Sequence, residues 1–137
     1  MNVIAGKYNI NTRIGTGSFG DILMGKIIES HQDIAIKIEK ISTKHPHLEQ
    51  ECKVLKFLNY STKRKIGIPK LIWYGTEGEY RAMVMELLGP NLEEIFTLCN
   101  RKFSMDTIIQ IIRQIVCSIT RSKDWNSSIP ICIFIKT

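Results

Sequence analysis

The sequence predicts an α+β fold, in which an antiparallel β-sheet comes first and helices follow. Strand-like segments rich in β-branched residues occupy residues 8–40, and the short turn Glu77-Gly78-Glu79 joins two more. From residue 104 onward, isoleucines recur at helical spacing. Apolar residues make up 44% of the chain and charged residues 23%, ordinary proportions that argue against a disordered or fibrous protein.

Five segments are predicted to be strands, because each is apolar and β-branched or alternates between apolar and polar residues. The clearest alternation has isoleucine at positions 34, 36 and 38, which is typical of a strand buried on one face. Together the five segments predict a five-stranded antiparallel sheet: Tyr8–Ile14, Asp21–Ile28, Asp33–Lys40, Leu71–Tyr74 and Tyr80–Leu87.

Three helices are predicted from apolar spacing and capping residues. The first spans Leu48–Leu58, and its apolar stripe consists of Leu48, Val54, Leu55 and Leu58. Asn91 can cap a second helix that runs to about Cys99. Ser104 can cap the third, which carries on one face Ile108, Ile112, Ile115 and Ile119.

The net charge of +6 permits an acidic partner without requiring one. The densest basic run, Lys63-Arg64-Lys65, is short, so we interpret it as a solvated loop and expect no nucleic-acid partner. No C-x-x-C pair occurs among the four cysteines, which favours reduced thiols and a cytoplasmic or nuclear location. The apolar stretches are too short or too interrupted for a signal peptide or a membrane span.

Gly15-Thr16-Gly17-Ser18-Phe19-Gly20 is a G-x-G-x-x-G motif between two predicted strands. A dinucleotide-binding fold would need a helix to begin at the end of this motif, whereas a strand is predicted there. A strand–glycine loop–strand hairpin is instead the flap that covers nucleotide phosphates in protein kinases. A plain hairpin with glycine at positive φ is the simpler alternative.

Lys37 lies in the predicted strand segment Asp33-Ile34-Ala35-Ile36-Lys37. Kinases place a lysine in such a V-A-I-K-type strand to hold the α and β phosphates. The alternative is a lysine that extends into solvent. The glycine loop that precedes Lys37 makes this alternative less favoured. Its expected ion-pair partner is Glu51, which lies on the apolar stripe of the first helix. Glu49 is a competing candidate further round that helix, and the simpler alternative is a solvated helix carboxylate.

Four further segments are specific enough to indicate a family: Thr43-Lys44-His45-Pro46 with Leu48, Gly67-Ile68-Pro69, Met83-Val84-Met85-Glu86-Leu87-Leu88-Gly89-Pro90 and Arg101-Lys102-Phe103-Ser104. Through them the chain resembles the casein kinase I family of serine/threonine protein kinases from about Tyr8 to Ile119. The resemblance implies a kinase small lobe over residues 1–88, with the ATP-binding glycine-rich loop. It implies the end of the hinge and two large-lobe helices over 89–124, followed by a divergent tail over 125–137.

The resemblance also implies an ATP site. Met85 would stand behind the adenine, and the backbones of Glu86 and Leu88 would bind its edge. Apolar side chains would sandwich the ring, and Glu94, where the family usually has Asp, would reach the ribose. The implied ATP-binding residues are Ile14, Gly15, Thr16, Gly17, Ser18, Phe19, Gly20, Asp21, Ile22, Ala35, Lys37, Glu51, Met85, Glu86, Leu88 and Glu94.

The catalytic motifs of a kinase are missing from these 137 residues. The sequence has no His-Arg-Asp and no Asp-Phe-Gly, and Ser122-Lys123-Asp124-Trp125 leads into Asn126 where the catalytic loop is expected. We therefore expect a chain truncated before the catalytic loop, with no catalytic residue, no metal ligand and no phosphotransfer activity. Mg²⁺ and an acidic or pre-phosphorylated protein substrate are expected only for a complete enzyme.

A different class of function remains open at this stage. The alternative is a non-catalytic nucleotide-binding or regulatory fragment that docks on a partner kinase or scaffold. The Ile108–Ile119 helix face would be the docking surface, because an exposed apolar patch marks a partner site or an aggregation liability. The apolar tail Ile129–Ile135 is a second candidate to cover that face.

Overall fold

A computed structural model of the chain describes residues 2–17, 20–61 and 68–121. Several predictions therefore fall outside the described residues. These are Ser18 and Phe19 in the glycine loop, the basic run Lys63–Lys65, the segment 122–125 and the tail over 125–137. Within the described residues the order is six strands and three helices, in two compact units.

The first unit is one antiparallel sheet with the strand order β1-β2-β3-β4-β6-β5. Five strands correspond to the predicted ones; β4 has the predicted ends, and the other four have shifted ends. Their bounds are β2 Tyr8–Gly17, β3 Gly20–Ile27, β4 Asp33–Lys40, β5 Leu71–Glu77 and β6 Tyr80–Glu86. The glycine motif lengthens β2 and starts β3 one residue early, because its first and last glycines continue the sheet pairing where the sequence predicts a turn.

The sixth strand, β1, was missed because it is only Val3–Ile4 and is too short to show a period. It pairs antiparallel with β2, so that Ile4 lies opposite Tyr8. A left-handed turn at Ala5 and Gly6 makes this return. The predicted count of five strands is thus one too low, although Ile4 is fully buried in the core.

The main core lies on the face of the sheet that carries the isoleucines of β4. Burial of these apolar side chains stabilises the sheet by roughly 1.5–3 kcal/mol each. The buried members are Ile4, Tyr8, Ile34, Ile36, Ala82 and Val84. The burial of Tyr8 raises the pKa of its hydroxyl.

The opposite face of β4 packs against helix α1, Leu48–Ser61. On this face Ala35 and Glu39 are buried, and so is Met83 of β6. The prediction that β4 is buried on one face only was wrong, since α1 covers the other. The sequence shows alternation because the α1 side accommodates polar groups that pair with the helix.

Helix α1 carries Leu48 and Cys52 fully or almost fully buried. Cys52 lies in the centre of the apolar stripe, where the sequence analysis did not place it. Burial raises the pKa of the Cys52 thiol, which accords with a reduced, unreactive side chain. The helix ends three residues later than predicted, and Asn59 in its last turn donates to the carbonyl of Pro69 at 3.0 Å.

The second unit contains helices α2, Leu92–Leu98, and α3, Met105–Arg121. Both predicted caps are present: the side chain of Asn91 accepts from the Glu94 N–H, and Ser104 accepts from the Thr107 N–H. Phe96 packs edge-to-face on Phe103 between the two helices, with centroids 4.9 Å apart.

Helix α3 exposes several of its apolar side chains, as expected from the sequence. Ile108 and Ile112 of the predicted stripe are 38% and 53% exposed. Met105, Ile109 and Val116 are also exposed, so the exposed region is wider than the predicted stripe. Among the described residues, no helix has the length and apolar character needed to cross a membrane.

Candidate functional site

The glycine hairpin joins β2 to β3 with Gly15 opposite Ile22 and Thr16 opposite Asp21. A register shift between Arg13 and Gly15 leaves Ile14 at an irregular position, about half exposed. Arg13 and Asp21 form a loose ion pair across the hairpin, with 3.7 Å between Nη1 and Oδ2. Such an exposed pair contributes little to stability.

The fold requires the last glycine of the motif. Gly20 has φ +122°, and a Cβ placed there would lie 2.1 Å from the backbone oxygen of Ile38. Because L side chains rarely adopt this φ and the obstacle is backbone, only glycine lets β3 approach β4 here.

The first glycine differs from the last. A Cβ on Gly15 would meet the Ile22 side chain at 3.7 Å, an ordinary contact, and its φ is not in the left-handed region. The hairpin alone therefore explains Gly20 but not Gly15. A backbone that a ligand must approach closely would explain Gly15.

The sheet register gathers four of the predicted site residues on the α1 side of the sheet. Ile22 of β3 lies directly opposite Lys37 of β4, and Ala35 of β4 lies opposite Met85 of β6. Residues that face each other across antiparallel strands project to the same side. Asp21 pairs with Ile38 and so belongs to the other side, away from Lys37.

Lys37 makes the ion pair expected from the sequence. Its Nζ donates to both carboxylate oxygens of Glu51, at 2.8 Å and 2.7 Å. The side chains of Lys37 and Glu51 are 14% and 26% exposed, so the ion pair is largely shielded from solvent. A lysine held in this way loses rotamer freedom, which prepares it to bind an anion.

Glu49 is excluded as the partner of Lys37. It pairs with Lys53 one helical turn later, at 2.8 Å, on the outer face of α1. The hydrogen bond from Lys53 lowers the pKa of Glu49 and raises that of Lys53. Glu51, on the apolar stripe, therefore faces the sheet, whereas Glu49 faces solvent.

The end of β6 supplies two of the predicted adenine contacts. Met85 is partly buried, and the Glu86 N–H donates to the Lys70 carbonyl at 2.9 Å. Any contact of the Glu86 backbone with a ligand must therefore use its carbonyl. Leu88 belongs to the second unit, together with the turn that follows it and leads to α2.

Glu94 forms a capping box at the start of α2. Its Oε2 accepts the Asn91 N–H at 2.8 Å while its own N–H donates to the Asn91 side chain. This structural role was not foreseen for Glu94, although an Asn followed three residues later by Glu is the sequence signature of such a box.

Glu39 is the residue at this face that the sequence analysis missed. It is only 4% exposed and accepts the His47 N–H at 2.9 Å, at the start of α1. Its signal in the sequence was weak: a glutamate two residues after Lys37 lies on the same side of a strand.

The described residues contain no cluster of three or more His, Cys, Asp or Glu side chains that could hold a metal ion. The two kinase motifs that normally bind magnesium are also missing from the sequence. The residues at hand therefore do not fit a metal, and we derive no step through one.

The fold, the glycine hairpin and the Lys37–Glu51 pair agree with a comparison against known protein families. The family model described as "Protein tyrosine and serine/threonine kinase" matches residues 8–121. The match covers five strands, β2–β6, and the three helices of the described residues, and it leaves out β1. The chain therefore belongs to the protein kinase family.

Proposed function

We propose that this chain is the ATP-binding half of a casein kinase I-like serine/threonine kinase. The observation that carries the proposal is the two-point contact of Lys37 with Glu51, on the side of the sheet shared with Ile22. In kinases such a lysine holds the α and β phosphates, and the helix glutamate orients it. The hairpin with its sterically unneeded Gly15 supports the same role.

The adenine would lie against apolar side chains of the same face. Ile22 and Ala35 offer one wall there, and Met85 lies beside Ala35 in the register. A planar base needs such apolar surfaces together with a few backbone hydrogen bonds. We assign these bonds to the Glu86 carbonyl and to the Leu88 backbone, and part of the ring contact to Ile14.

The narrower assignment to casein kinase I rests on sequence segments rather than on geometry. The Lys44-His45-Pro46 and Glu86–Pro90 segments support it. They also support serine and threonine as the acceptors, in acidic or pre-phosphorylated proteins, for a form that carries the catalytic motifs.

We further propose that the 137 residues alone transfer no phosphate. General-base catalysis contributes roughly 10²–10⁴-fold, and the metal clamp adds electrostatic stabilisation of the transition state. The sequence holds four aspartates, and none stands in a catalytic-loop or Asp-Phe-Gly motif. Incubation of the purified chain with γ-labelled ATP, Mg²⁺ and casein is expected to leave casein unlabelled.

The control for that assay is the same reaction with the Lys37→Met variant. Labelling that depends on the chain and disappears with Lys37→Met would contradict the proposed inactivity. Equal background in both samples is the expected result.

The ribose role proposed for Glu94 can be separated from its capping role. Both Glu94→Ala and Asn91→Ala remove the capping box and are expected to lower stability by about 1 kcal/mol. Only Glu94→Ala should weaken ATP binding more than adenine binding, because adenine has no ribose. Titration calorimetry with the two ligands measures this difference, and equal losses for both variants would remove the ribose role.

A docking fragment without activity is the second candidate. The observation in its favour is the exposed apolar side of α3, including Ile109, Ile112 and Val116. This function also accommodates ATP binding. The two candidates therefore differ in partner and in whether a longer product with the catalytic motifs exists, rather than in the nucleotide site.

A further inference from the structure

Glu39 ties the beginning of α1 to the sheet. The side chain is 4% exposed, and Oε1 accepts the His47 N–H at 2.9 Å. The His47 carbonyl accepts the Glu51 N–H at 3.0 Å, which is the hydrogen bond at the start of helix α1. Glu39 thus acts as a side-chain cap from a neighbouring strand, and it satisfies a donor that a helix start leaves without an internal partner.

The other carboxylate oxygen of Glu39 is poorly compensated. Oε2 has no hydrogen-bond partner among the described residues, and the nearest cation, Arg81 Nη1, is 3.6 Å away. Arg81 lies directly opposite Glu39 in the sheet and also donates to the Ile41 carbonyl at 3.4 Å. A buried carboxylate oxygen without a donor costs free energy, so stability alone gives a poor reason for glutamate here.

The position of Glu39 connects it to the nucleotide lysine. Lys37 and Glu39 are alternate residues of β4 and project to the same side, toward α1. The helix is thereby held twice by one strand: at His47 by Glu39, and one turn later at Glu51 by Lys37. Fixing His47 fixes the height of Glu51 over the strand, because four helical residues form one rigid turn.

We propose that Glu39 is a positioning residue for the Lys37–Glu51 pair. Through its hydrogen bond to His47 it sets the register of α1 on β4, and thereby the orientation of the lysine that meets the phosphates. This inference rests on the proposed ATP-binding function. The contact of Glu39 with α1 involves protein atoms alone, so it can also be tested without nucleotide.

The test measures how strongly Lys37 and Glu51 depend on each other. Unfolding free energies of Lys37→Met, Glu51→Gln and the double variant give their coupling in the full chain. We expect Glu39→Ala to abolish most of this coupling and Glu39→Gln to keep it, because the Gln Oε1 still accepts the His47 N–H. A general loss of stability lowers all corners of the cycle equally and leaves the coupling unchanged.

A second variant covers the case in which Glu39→Ala does not fold. Glu39→Asp keeps the charge but withdraws the carboxylate from His47 by one methylene, so it is expected to reduce the coupling as well. In ATP titrations of folded protein, Glu39→Ala or Glu39→Asp should weaken binding by up to about tenfold, because binding must then also order the Lys37 side chain.

Two results would overturn the inference. One is unchanged Lys37–Glu51 coupling in both Glu39→Ala and Glu39→Asp, which would leave Glu39 a purely structural cap. The other is a loss in Glu39→Gln as large as in Glu39→Ala, which would exclude the His47 hydrogen bond as the cause. A wild-type chain that binds no ATP but shows the expected coupling changes would reject the proposed function and retain this inference.

Discussion

Replacing Lys37 with Met is expected to weaken ATP binding by roughly 10- to 100-fold. A hydrogen bond to a charged group contributes about 1.5–3 kcal/mol, and 1.4 kcal/mol corresponds to a factor of ten in affinity. Lys37 has this effect because Glu51 holds its ammonium in place, with oxygens 2.7 and 2.8 Å from Nζ. Titration calorimetry of the purified chain with ATP measures the change.

The matched control is Lys26→Met. Lys26 lies on the neighbouring strand and pairs with Asp33 at 2.8 Å, with both side chains about half exposed. The control removes the same positive charge from the same sheet, but away from the proposed site. Equal losses in the two variants would show a general electrostatic effect of the net charge and would contradict a specific phosphate role for Lys37.

Replacing Gly20 with Ala is expected to destabilise the chain by about 3 kcal/mol or more. The φ of +122° alone costs an L residue about 1–3 kcal/mol, and the new Cβ would meet the Ile38 carbonyl oxygen at 2.1 Å. Relief requires β3 to separate from β4, which disrupts sheet pairing beside Lys37. Chemical unfolding followed by circular dichroism measures the loss.

Two other glycines separate the effect of the positive φ from that of the Cβ clash. Gly78 has φ +56° and no atom within 4 Å of an added Cβ, so Gly78→Ala should cost about 1 kcal/mol from the backbone alone. Gly15 has neither problem, and Gly15→Ala should leave stability unchanged or raise it by about 0.5 kcal/mol. A Gly15→Ala variant as unstable as Gly20→Ala would contradict this account of the hairpin.

Gly15→Ala also has a consequence for the ligand. If phosphates approach the hairpin backbone, the added methyl group should weaken ATP binding while the fold remains intact. Unchanged affinity in this variant would favour the simpler explanation, a hairpin whose glycines serve the fold alone.

Secondary-structure elements were predictable from the sequence where the residues of one short segment contain the complete pattern. The alternation in β4 and the caps Asn91 and Ser104 were sufficient, because each depends on neighbouring residues. The two-residue strand β1 was not predictable, since it exists only through pairing with β2. The burial of Glu39 was likewise hidden, because it depends on where a helix docks eight residues later.

The candidate site divides in the same way. Lys37 was found from its V-A-I-K-type strand segment and Glu51 from its place on the apolar stripe of α1, and the structure joins them. The capping role of Glu94 was not predicted. The family resemblance implied a ribose contact for this residue, although its spacing of three residues from Asn91 is that of a capping box. Sequence spacing thus identified the charged pair, whereas the contacts that position it required coordinates.

Affinity labelling with an acyl-phosphate derivative of ATP tests the central claim most directly. The reagent transfers its acyl group to an amine beside the bound phosphates, and mass spectrometry then locates the acylated residue among the chain's lysines. We predict acylation at Lys37 that excess ATP suppresses. The claim would be contradicted by no ATP-sensitive acylation, or by ATP-sensitive acylation only at other lysines such as Lys63 or Lys65.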